Sequence, residues 1–426
     1  MAAIDGLKPS DVVPDARGAP RTLNIAQRPL HTGGQAVVHV ATLDGMPVLL
    51  KMYTANMHAM KEWQADATMD NVLSKRHKRL FVPGHYSFQC AVQNPPSIAD
   101  GRDCSVKELC LMDLQELLEP VWAHGVASLS GNVALRRLLR DAVQGVAQMH
   151  ANGIAHNDIK MCNILVSTQD VSRVYSAREI LFSDLPVNHS VAEQCLLHAA
   201  RAPGTAQHDA KRVASVYNHM RDAVVETLKK TGDLKAALPA AWFSKSSRLT
   251  ARVADLGMAH VADEGVMPLK RNTRIVSPDL TPPELMWWAA QQAARSEDDA
   301  PLEVALDEMS MDVYSIGVMV HGAVTGVMPY TSSQPSERDF RGFMQALYGK
   351  NVHLTHPCMT PSHVQWEEDV PSWAIHALSK LTPACVQFLR ACMHPNPTRR
   401  LHCSMLLNLP FLRNVRRRSY NAASSE

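Results

Sequence analysis

The residues best suited to chemistry lie in the segment His156–Asn163, which leads into the apolar run Ile164–Val166. A carboxylate, Asp158, and an amide, Asn163, stand five residues apart in this segment. Asp158 can accept a proton from a hydroxyl group, and Asn163 offers a neutral oxygen to a hard divalent cation. Lys160 can neutralise charge on a phosphoryl group during its transfer. Taken alone, the segment also fits a polar turn that only caps the preceding helix.

Two further segments supply groups that a phosphate site needs. Asp255 ends a strand-like run, and Gly257 frees the backbone to turn, which suits a carboxylate that binds magnesium. The pair Gly33-Gly34 lies between predicted strands, where backbone N–H groups can approach phosphates. Lys51 ends the next apolar run, and a lysine that points inward needs an anionic partner. Each segment alone is weak evidence, because Asp-x-Gly and Gly-Gly are common in turns.

Hydrophobic spacing predicts the elements that position these residues. Asp44-Gly45 stands between two valine- and leucine-rich runs and predicts a β-hairpin. Residues 56–76 and 133–149 show helical spacing, the second helix ending before Asn152-Gly153. A further strand is predicted from Glu108 to Leu114.

Together these residues resemble the signature set of the eukaryotic-like protein kinase family, in the family's order and over residues 24–412. The resemblance implies that Asp158 is the catalytic base, that Lys160 is its lysine companion, and that Lys51 holds the α- and β-phosphates of ATP. It implies magnesium ligands at Asn163 and Asp255. The residues that it places at the nucleotide are Leu30, Gly33, Gly34, Val38, Lys51, Met112 and Asp113.

Three downstream motifs extend the resemblance. Residues 277–284 parallel the end of a kinase activation segment, and Asp312–Gly317 resembles the helix that anchors the catalytic loop from below. Residues 396–400 resemble the closing motif of the family. We expect Arg400 to pair with Glu284 in a buried ion pair, which is costly to break from one side.

The resemblance implies an α+β, two-lobed, protein-kinase-like fold with ATP between the lobes. The small lobe is a mostly antiparallel sheet with one helix at residues 21–112, and the larger lobe is helical at 113–412. Residues 1–20 read as a flexible leader, and residues 413–426 as a basic and polar tail. The implied activity is transfer of the γ-phosphate of Mg-ATP to serine or threonine of a protein, since Lys160 and Ser277 resemble that branch.

The sequence departs from the family at three places. Asn157 stands before the base where many kinases have arginine, which predicts activity that is independent of activation-loop phosphorylation. His31 and Ala36 replace the outer glycines of the phosphate loop, and His31 is expected to raise the ATP concentration needed. The partner carboxylate of Lys51 is left open among three residues: Glu62, Asp66 and Asp70.

A helical insertion interrupts the expected kinase domain. Asn163 and Asp255 are 92 positions apart, where the family has on the order of a dozen or more. Residues 171–247 fill this distance with several amphipathic stretches, of which Arg212–Lys230 is the clearest. We expect this segment to bind a partner or substrate, against the alternative of a passive decoration.

Composition narrows the class of protein and its location. The chain has 426 residues, 46% of them hydrophobic, and a net charge of +2, which excludes a disordered acidic or basic protein and gives no reason to expect nucleic acid as partner. Nine Cys without a CxxC pair indicate a reducing compartment. No apolar run is long enough for a transmembrane segment, and no signal peptide is recognised, so a cytoplasmic location is expected. The missing arginine and the insertion also resemble features of kinases that bacterial pathogens secrete into host cells.

Two other functions remain open. A pseudokinase would bind nucleotide and partner proteins as a scaffold, but it would be expected to lack Lys51, Asp158, Asn163 or Asp255, and all four are present. A small-molecule kinase of the aminoglycoside or choline type also uses His-x-Asp followed by Asn. Lys160, Glu284, Asp312 and Arg400 together favour a protein kinase over that type.

Overall fold

The computed structural model of the protein describes residues 11–14, 20–33, 36–54, 56–69, 73, 81, 84–90, 102–170, 190–200, 209–261, 267–268, 282–285, 305–329, 337–348 and 378–413. Predictions that concern Gly34, Asp70, Ser277, most of the leader and nearly all of the tail lie outside these residues. The chain divides into two compact units. Unit 1 comprises Met1–Pro120 and Leu165–Ala259, and unit 2 comprises Val121–Ile164 and His260–Glu426.

The elements within the described residues are given in chain order. The strands are β1 (Asp11–Pro14), β2 (Pro20–Ile25), β3 (His31–Thr32), β4 (Ala36–Leu43), β5 (Met46–Tyr53), β6 (Gly84–Cys90), β7 (Arg102–Glu108), β8 (Met112–Asp113), β9 (Ile154–Ala155), β10 (Ile164–Asp170), β11 (Ser247–Val253), β12 (His260–Val261), β13 (Met267–Pro268) and β14 (Ala305–Leu306). The helices are α1 (Met57–Met69), α2 (Leu114–Ala123), α3 (Val133–Ala151), α4 (Ser190–Ala200), α5 (Ala210–Thr231), α6 (Glu308–Thr325), α7 (Glu337–Tyr348), α8 (Pro383–Cys392), α9 (Cys403–Leu406) and α10 (Pro410–Arg413). Among these described helices, none combines the length and the apolar character needed to cross a membrane.

An antiparallel sheet lies at the centre of unit 1. Its strand order is β1-β2-β4-β5-β7-β6, and β3 also pairs with β4. The predicted hairpin of β4 and β5 is confirmed. Its two turn residues both have positive φ, 46° for Asp44 and 83° for Gly45, as a tight two-residue hairpin turn requires.

The two faces of this sheet differ because successive side chains of a strand point to opposite sides. Leu50 of β5 lies on one face, where it is buried with Val106 of β7. Lys51 and Tyr53 lie on the other face, and α1 packs against Tyr53 through Trp63. The helix predicted over residues 56–76 is observed from residue 57 to residue 69, at the edge of a stretch with few described residues.

The insertion packs on the sheet of unit 1. Helix α4 contacts β5, helix α5 contacts β4 and β2, and the two helices contact each other. The amphipathic helix predicted at Arg212–Lys230 is confirmed as α5. The buried side chains of α5 recur at helical spacing and are Ala210, Val213, Tyr217, Met220, Val224 and Leu228.

The strand predicted from Glu108 to Leu114 is wrong in its extent. Strand β7 ends at Glu108, β8 holds two residues, and α2 begins at Leu114. The reason is a capping box: the Asp113 carboxylate accepts from the Glu116 N–H at 2.8 Å, and the Glu116 carboxylate accepts from the Asp113 N–H at 3.2 Å. These bonds satisfy the backbone N–H groups of Asp113 and Glu116 within the first turn of α2, so neither group needs a partner on a neighbouring strand.

Unit 2 is mostly helical. The helix predicted over residues 133–149 is confirmed as α3, which the Asn132 side chain caps by accepting from the Leu135 N–H at 3.0 Å. Helix α6 packs on α8 and α3, and α3 also contacts α9 and α10. Two arginines of α3 fix the last segment of the described chain: Arg136 donates to the carbonyls of Pro410 and Phe411, and Arg140 to those of Leu407 and Leu412.

The two units differ from the lobes expected from the sequence. The expected boundary follows residue 112, and the expected large lobe contains the insertion. In the structure residues 165–259 group with the sheet of unit 1. The contacts explain this grouping, because β10 pairs with both β8 and β11, while α4 and α5 pack on β5 and β4.

Candidate active site

The segment His156–Asn163 forms a compact polar loop of unit 2 between β9 and β10. The Asp158 side chain is 6% exposed, and Lys160 Nζ lies 2.7 Å from Asp158 Oδ2. The side-chain nitrogen of Asn163 donates to the same carboxylate oxygen at 2.9 Å and to the Asp158 carbonyl at 2.8 Å. The three predicted residues therefore lie together, with the carboxylate held by one cation and one amide.

A buried carboxylate on α6 anchors this loop. Asp312 is 1% exposed and accepts from the backbone N–H of His156 at 2.7 Å and of Asn157 at 2.9 Å. His150 of α3 contacts the same carboxylate at 3.0 Å. The anchoring that the resemblance implies for Asp312 is confirmed. These bonds support a left-handed backbone at Asn157, whose φ is 63°.

The residue that replaces the usual arginine has a partner of its own. Asn157 hydrogen-bonds to Glu308, which is 3% exposed at the start of α6. His260 of β12 lies 3.4 Å from the same carboxylate. Burial raises the pKa of Glu308 above its ordinary value, against the opposing effects of His260 and Asn157. Sequence reasoning missed Glu308 and His260, because neither belongs to a recognised motif.

Lys51 and Asp255 form a second candidate pair, in unit 1. Lys51 Nζ lies 2.6 Å from Asp255 Oδ1, and the Asp255 side chain is 42% exposed. Burial lowers the pKa of Lys51, but the charges of Asp255 and Asp66 outweigh burial and hold the pKa above its ordinary value. Asp255 has a left-handed backbone with φ of 59°, just before the short 3-10 turn Leu256–Met258.

The open question of the Lys51 partner has an answer in unit 1. Asp66 of α1 is 1% exposed and is held by Lys107 at 2.9 Å and by the Tyr53 hydroxyl at 2.9 Å. Glu62 acts on Lys51 only through its charge, and its Cβ lies 3.1 Å from where a Cβ of Gly257 would stand. Within the described residues, which do not include Asp70, the observed partner of Lys51 is therefore Asp255 and not Glu62 or Asp66.

Lys107 is a residue that sequence reasoning missed. It stands opposite Leu49 in the β5–β7 ladder, as Ser105 stands opposite Lys51, so both lysines lie on one face of the sheet. The available signal was the same as for Lys51, a lysine within a strand whose neighbours are buried. A second buried pair of unit 1 was also missed: Arg252 lies 2.7 Å from Glu108, and both are at most 4% exposed.

The predicted nucleotide residues of unit 1 are placed on two segments. The Leu30 N–H donates to the Val38 carbonyl at 2.7 Å, and the Gly33 N–H donates to the Ala36 carbonyl at 2.9 Å. Met112 is buried in β8, which pairs with β10. Asp113 caps α2, and burial raises the pKa of its carboxyl to about 6.

The expected ion pair between Arg400 and Glu284 is confirmed. The guanidinium donates to both carboxylate oxygens, at 2.6 and 2.7 Å, and the two side chains are 1% and 2% exposed. Two parallel bonds of this kind are stronger and more directional than a single contact. The pair fixes the segment Pro282–Leu285 to the turn Pro397–Arg399 within unit 2.

The donor set for a cation is small and made of hard oxygens. Among the residues that the structure describes, no three His, Cys, Asp or Glu side chains form a metal cluster. Asn163 uses its side-chain nitrogen for Asp158, which leaves its amide oxygen as the atom for a cation. Magnesium commonly takes only one or two protein ligands beside phosphates and water. The amide oxygen of Asn163 in unit 2 and the exposed carboxylate of Asp255 in unit 1 are each hard oxygen donors of the kind that it prefers. Cys162, in the same loop as Asn163, has an exposed side chain.

Residues 243–412 match the family model for the protein kinase domain. This segment is therefore similar to a protein kinase domain, and the α+β architecture of the described residues is consistent with a kinase fold. The matched segment begins near the end of the insertion and includes Asp255, Glu284 and Asp312, whereas Lys51 and Asp158 precede it. A comparison with curated proteins gives no match.

Proposed function

We propose that this chain is an ATP-dependent serine/threonine protein kinase, which transfers the γ-phosphate of Mg-ATP to hydroxyl groups of a protein substrate. The observation that carries the proposal is the position of Asp158, which Lys160 and Asn163 hold in a loop anchored by a buried carboxylate. A carboxylate held in this way suits a group that orients a hydroxyl and accepts its proton. Lys160, two residues after the base, supports serine/threonine specificity by resemblance.

The proposed step is an in-line displacement at phosphorus. The substrate hydroxyl oxygen attacks the γ-phosphorus, the bond from that phosphorus to the leaving oxygen of ADP breaks, and Asp158 receives the hydroxyl proton. Lys160 offsets negative charge on the transferring group, and Lys51 exchanges Asp255 for the α- and β-phosphates. Magnesium, when bound, neutralises charge on the phosphates, and Asn163 and Asp255 are the residues that would hold it.

We also propose that activity requires no phosphate on the activation segment. Asn157 is neutral, so it offers no cation to a phosphate in place of the usual arginine. Its hydrogen bond goes to Glu308, which also lies 3.4 Å from His260. The expected result is that treatment with a phosphatase leaves the rate of transfer unchanged. A rate that falls on such treatment would overturn this part of the proposal.

A nucleotide-binding pseudokinase is the second candidate, and one observation favours it. Lys51 and Asp255 satisfy each other at 2.6 Å. A scaffold that never transfers phosphate has no catalytic need to release Asp255 from Lys51, whereas the proposed kinase step exchanges Asp255 for the phosphates.

The experiment is phosphate incorporation into a generic serine- and threonine-containing protein, followed by mass spectrometry. The wild type is compared with three variants, Asp158→Asn, Lys51→Met and Asp255→Asn. Lys229→Met is the matched control, because this lysine is exposed on α5 and its ion pair with Glu226 also lies at the surface. The expected loss for Asp158→Asn is at least about a hundredfold, the lower range for a general base.

The outcomes separate the candidate functions. Incorporation by the wild type and the control, but not by the three variants, supports the kinase, and the modified residue type decides between serine/threonine and tyrosine. Binding of ATP without incorporation supports the pseudokinase. Transfer to free aminoglycosides or sugars instead of protein would overturn the proposed substrate class.

A further inference from the structure

We propose that the insertion takes part in nucleotide recognition, through two positioning residues of α5. In this inference Tyr217 and Arg221 hold the segment Leu109–Asp113, which joins β7 to α2, and thereby set the affinity and base selectivity of unit 1 for nucleotide. The inference rests on the proposed function and on the expectation, from the resemblance, that Met112 and Asp113 lie at the nucleotide. It adds a role to the expectation that the insertion binds a partner or substrate.

The first contact is a hydroxyl between two adjacent peptide carbonyls. Tyr217 is 2% exposed, and its hydroxyl lies 2.8 Å from the Cys110 carbonyl oxygen and 2.9 Å from that of Leu111. A hydroxyl carries one proton, so the two carbonyls share a single donor. Both oxygens must therefore face the same point, and this fixes the orientation of two consecutive peptide planes.

The second contact lies one helical turn further along α5. Arg221 Nη2 lies 2.6 Å from Glu116 Oε1, and its guanidinium carbon lies 5.6 Å from the centre of the Tyr217 ring. Glu116 is also the residue that closes the capping box with Asp113. Arg221 thus reaches the end of the same segment through one intermediate carboxylate.

The helix that carries these residues is itself fixed in unit 1. Tyr217 belongs to the buried stripe of α5, between Val213 and Met220, and α5 packs on β4 and β2. Strand β4 carries Val38, a predicted nucleotide contact. Helix α5 therefore contacts both this strand and the segment Leu109–Asp113. This combination explains why a segment inserted far from residues 109–113 in sequence can act on them.

The consequence for binding follows from the groups that a purine edge meets. Peptide N–H and C=O groups can distinguish the hydrogen-bonding edges of adenine and guanine only while the peptide planes are fixed. Without the Tyr217 hydroxyl, the Cys110 and Leu111 carbonyls lose a shared buried donor. Their peptide planes are then held less firmly, although the Leu111 N–H still donates to the Val166 carbonyl at 2.8 Å. Affinity for ATP should then fall, and the preference for ATP over GTP should fall with it.

The test compares Tyr217→Phe with Thr227→Val, a control on the same helix. Tyr217→Phe removes only the hydroxyl, whereas the Thr227 hydroxyl bonds to Ala223 of its own helix at 2.8 Å. The dissociation constants for ATP and GTP are measured by calorimetry. Tyr217→Phe is expected to weaken the binding of ATP about three- to tenfold, the usual effect of losing one hydrogen bond. The preference for ATP over GTP is expected to fall as well.

Kinetics distinguish positioning from a general loss of stability. Tyr217→Phe should raise KM for ATP and leave KM for the protein substrate and kcat close to those of the wild type. Arg221→Met should move the same constants in the same direction, by a smaller factor. If Tyr217→Phe binds ATP and GTP as the wild type does, or shifts them no more than Thr227→Val does, the inference is overturned.

A separate readout covers the case in which the proposed function fails. If the wild type binds no nucleotide, the proposed function is wrong, and the positioning is then tested by hydrogen exchange of the amides of residues 109–116. Faster exchange of these amides in Tyr217→Phe than in Thr227→Val supports the positioning role. Equal exchange in the two variants overturns it.

Discussion

At the scale of single residues, unit 1 places two lysines and two carboxylates on one face of its sheet. Lys51 is paired with Asp255, and Lys107 is paired with Asp66. Asp66 is buried more deeply than Asp255, so its charge has a partner that stays in place while Asp255 remains accessible. Lys107 therefore leaves Lys51 available for another anion, without leaving a buried carboxylate unpaired.

Asp113 gives a prediction about the dependence of stability on pH. Burial raises its pKa from 3.8 to about 6, although the Glu116 N–H bond opposes the shift. The folded protein therefore binds this proton more tightly than the unfolded chain, and the contribution to stability falls as pH rises from about 4 through 6. Asp113→Asn keeps the helix cap and removes the charge.

The expected result for Asp113→Asn is a gain in the free energy of unfolding at pH 7, by about 1 to 2 kcal/mol after allowance for partial exposure. At pH 4, close to the ordinary pKa, the gain should shrink to near zero. Urea unfolding at the two pH values measures both. A gain of equal size at pH 4 and pH 7 would contradict the assignment of the shift to Asp113.

At the scale of elements, the predicted strands and helices agree with the structure where neighbouring residues determine the backbone conformation. The β4–β5 hairpin follows from Asp44-Gly45, and α5 follows from apolar residues at helical spacing. The segment after Glu108 was misread because four apolar residues in a row fit a strand, whereas the Asp113–Glu116 capping box starts a helix. That box was visible in the sequence as Asp-x-x-Glu.

The packing of α6 on α8 gives a prediction at this scale. A Cβ at Gly317 would overlap the Met393 side chain and would lie 2.9 Å from Cys392 Cβ. Gly317→Ala is therefore expected to destabilise unit 2 by about 1 to 3 kcal/mol, the usual cost of overpacking. Denaturant unfolding measures the change, with Gly131→Ala as the control, because a Cβ there meets no atom within 4 Å.

The control defines how this result is read. Gly131→Ala should change the free energy of unfolding by no more than about 0.5 kcal/mol, as for other surface positions. If Gly317→Ala were no more destabilising than Gly131→Ala, the two helices would not approach each other as closely as described.

At the scale of the whole molecule, the chain passes between the two units after residues 120, 164 and 259. Neither unit is therefore a continuous stretch of sequence. This explains how far sequence reasoning could go. Asp158, Lys160 and Asn163 lie within one short loop and were found by spacing, whereas Lys51 and Asp255 are 204 residues apart and their contact depends on packing.

Because neither unit is a continuous stretch of sequence, the segment that matches the kinase family is not expected to fold alone. Residues 243–412 lack α3, whose Arg136 and Arg140 hold the carbonyls of residues 407–412. Expressed alone, this fragment is expected to lack cooperative unfolding. Circular dichroism during thermal unfolding measures this, with the full chain as control. A sharp transition in the fragment would show that its helices need no contact with α3.

One exposed side chain offers a practical consequence. Of the seven cysteines whose side chains are described, Cys162 alone is exposed, and it lies between Lys160 and Asn163. Thiol reagents select accessible cysteines. With Cys90 and Cys358 replaced by serine, a small fluorescent maleimide would therefore label one position of the chain. A change in its emission on addition of ATP would then report the proposed nucleotide binding in real time.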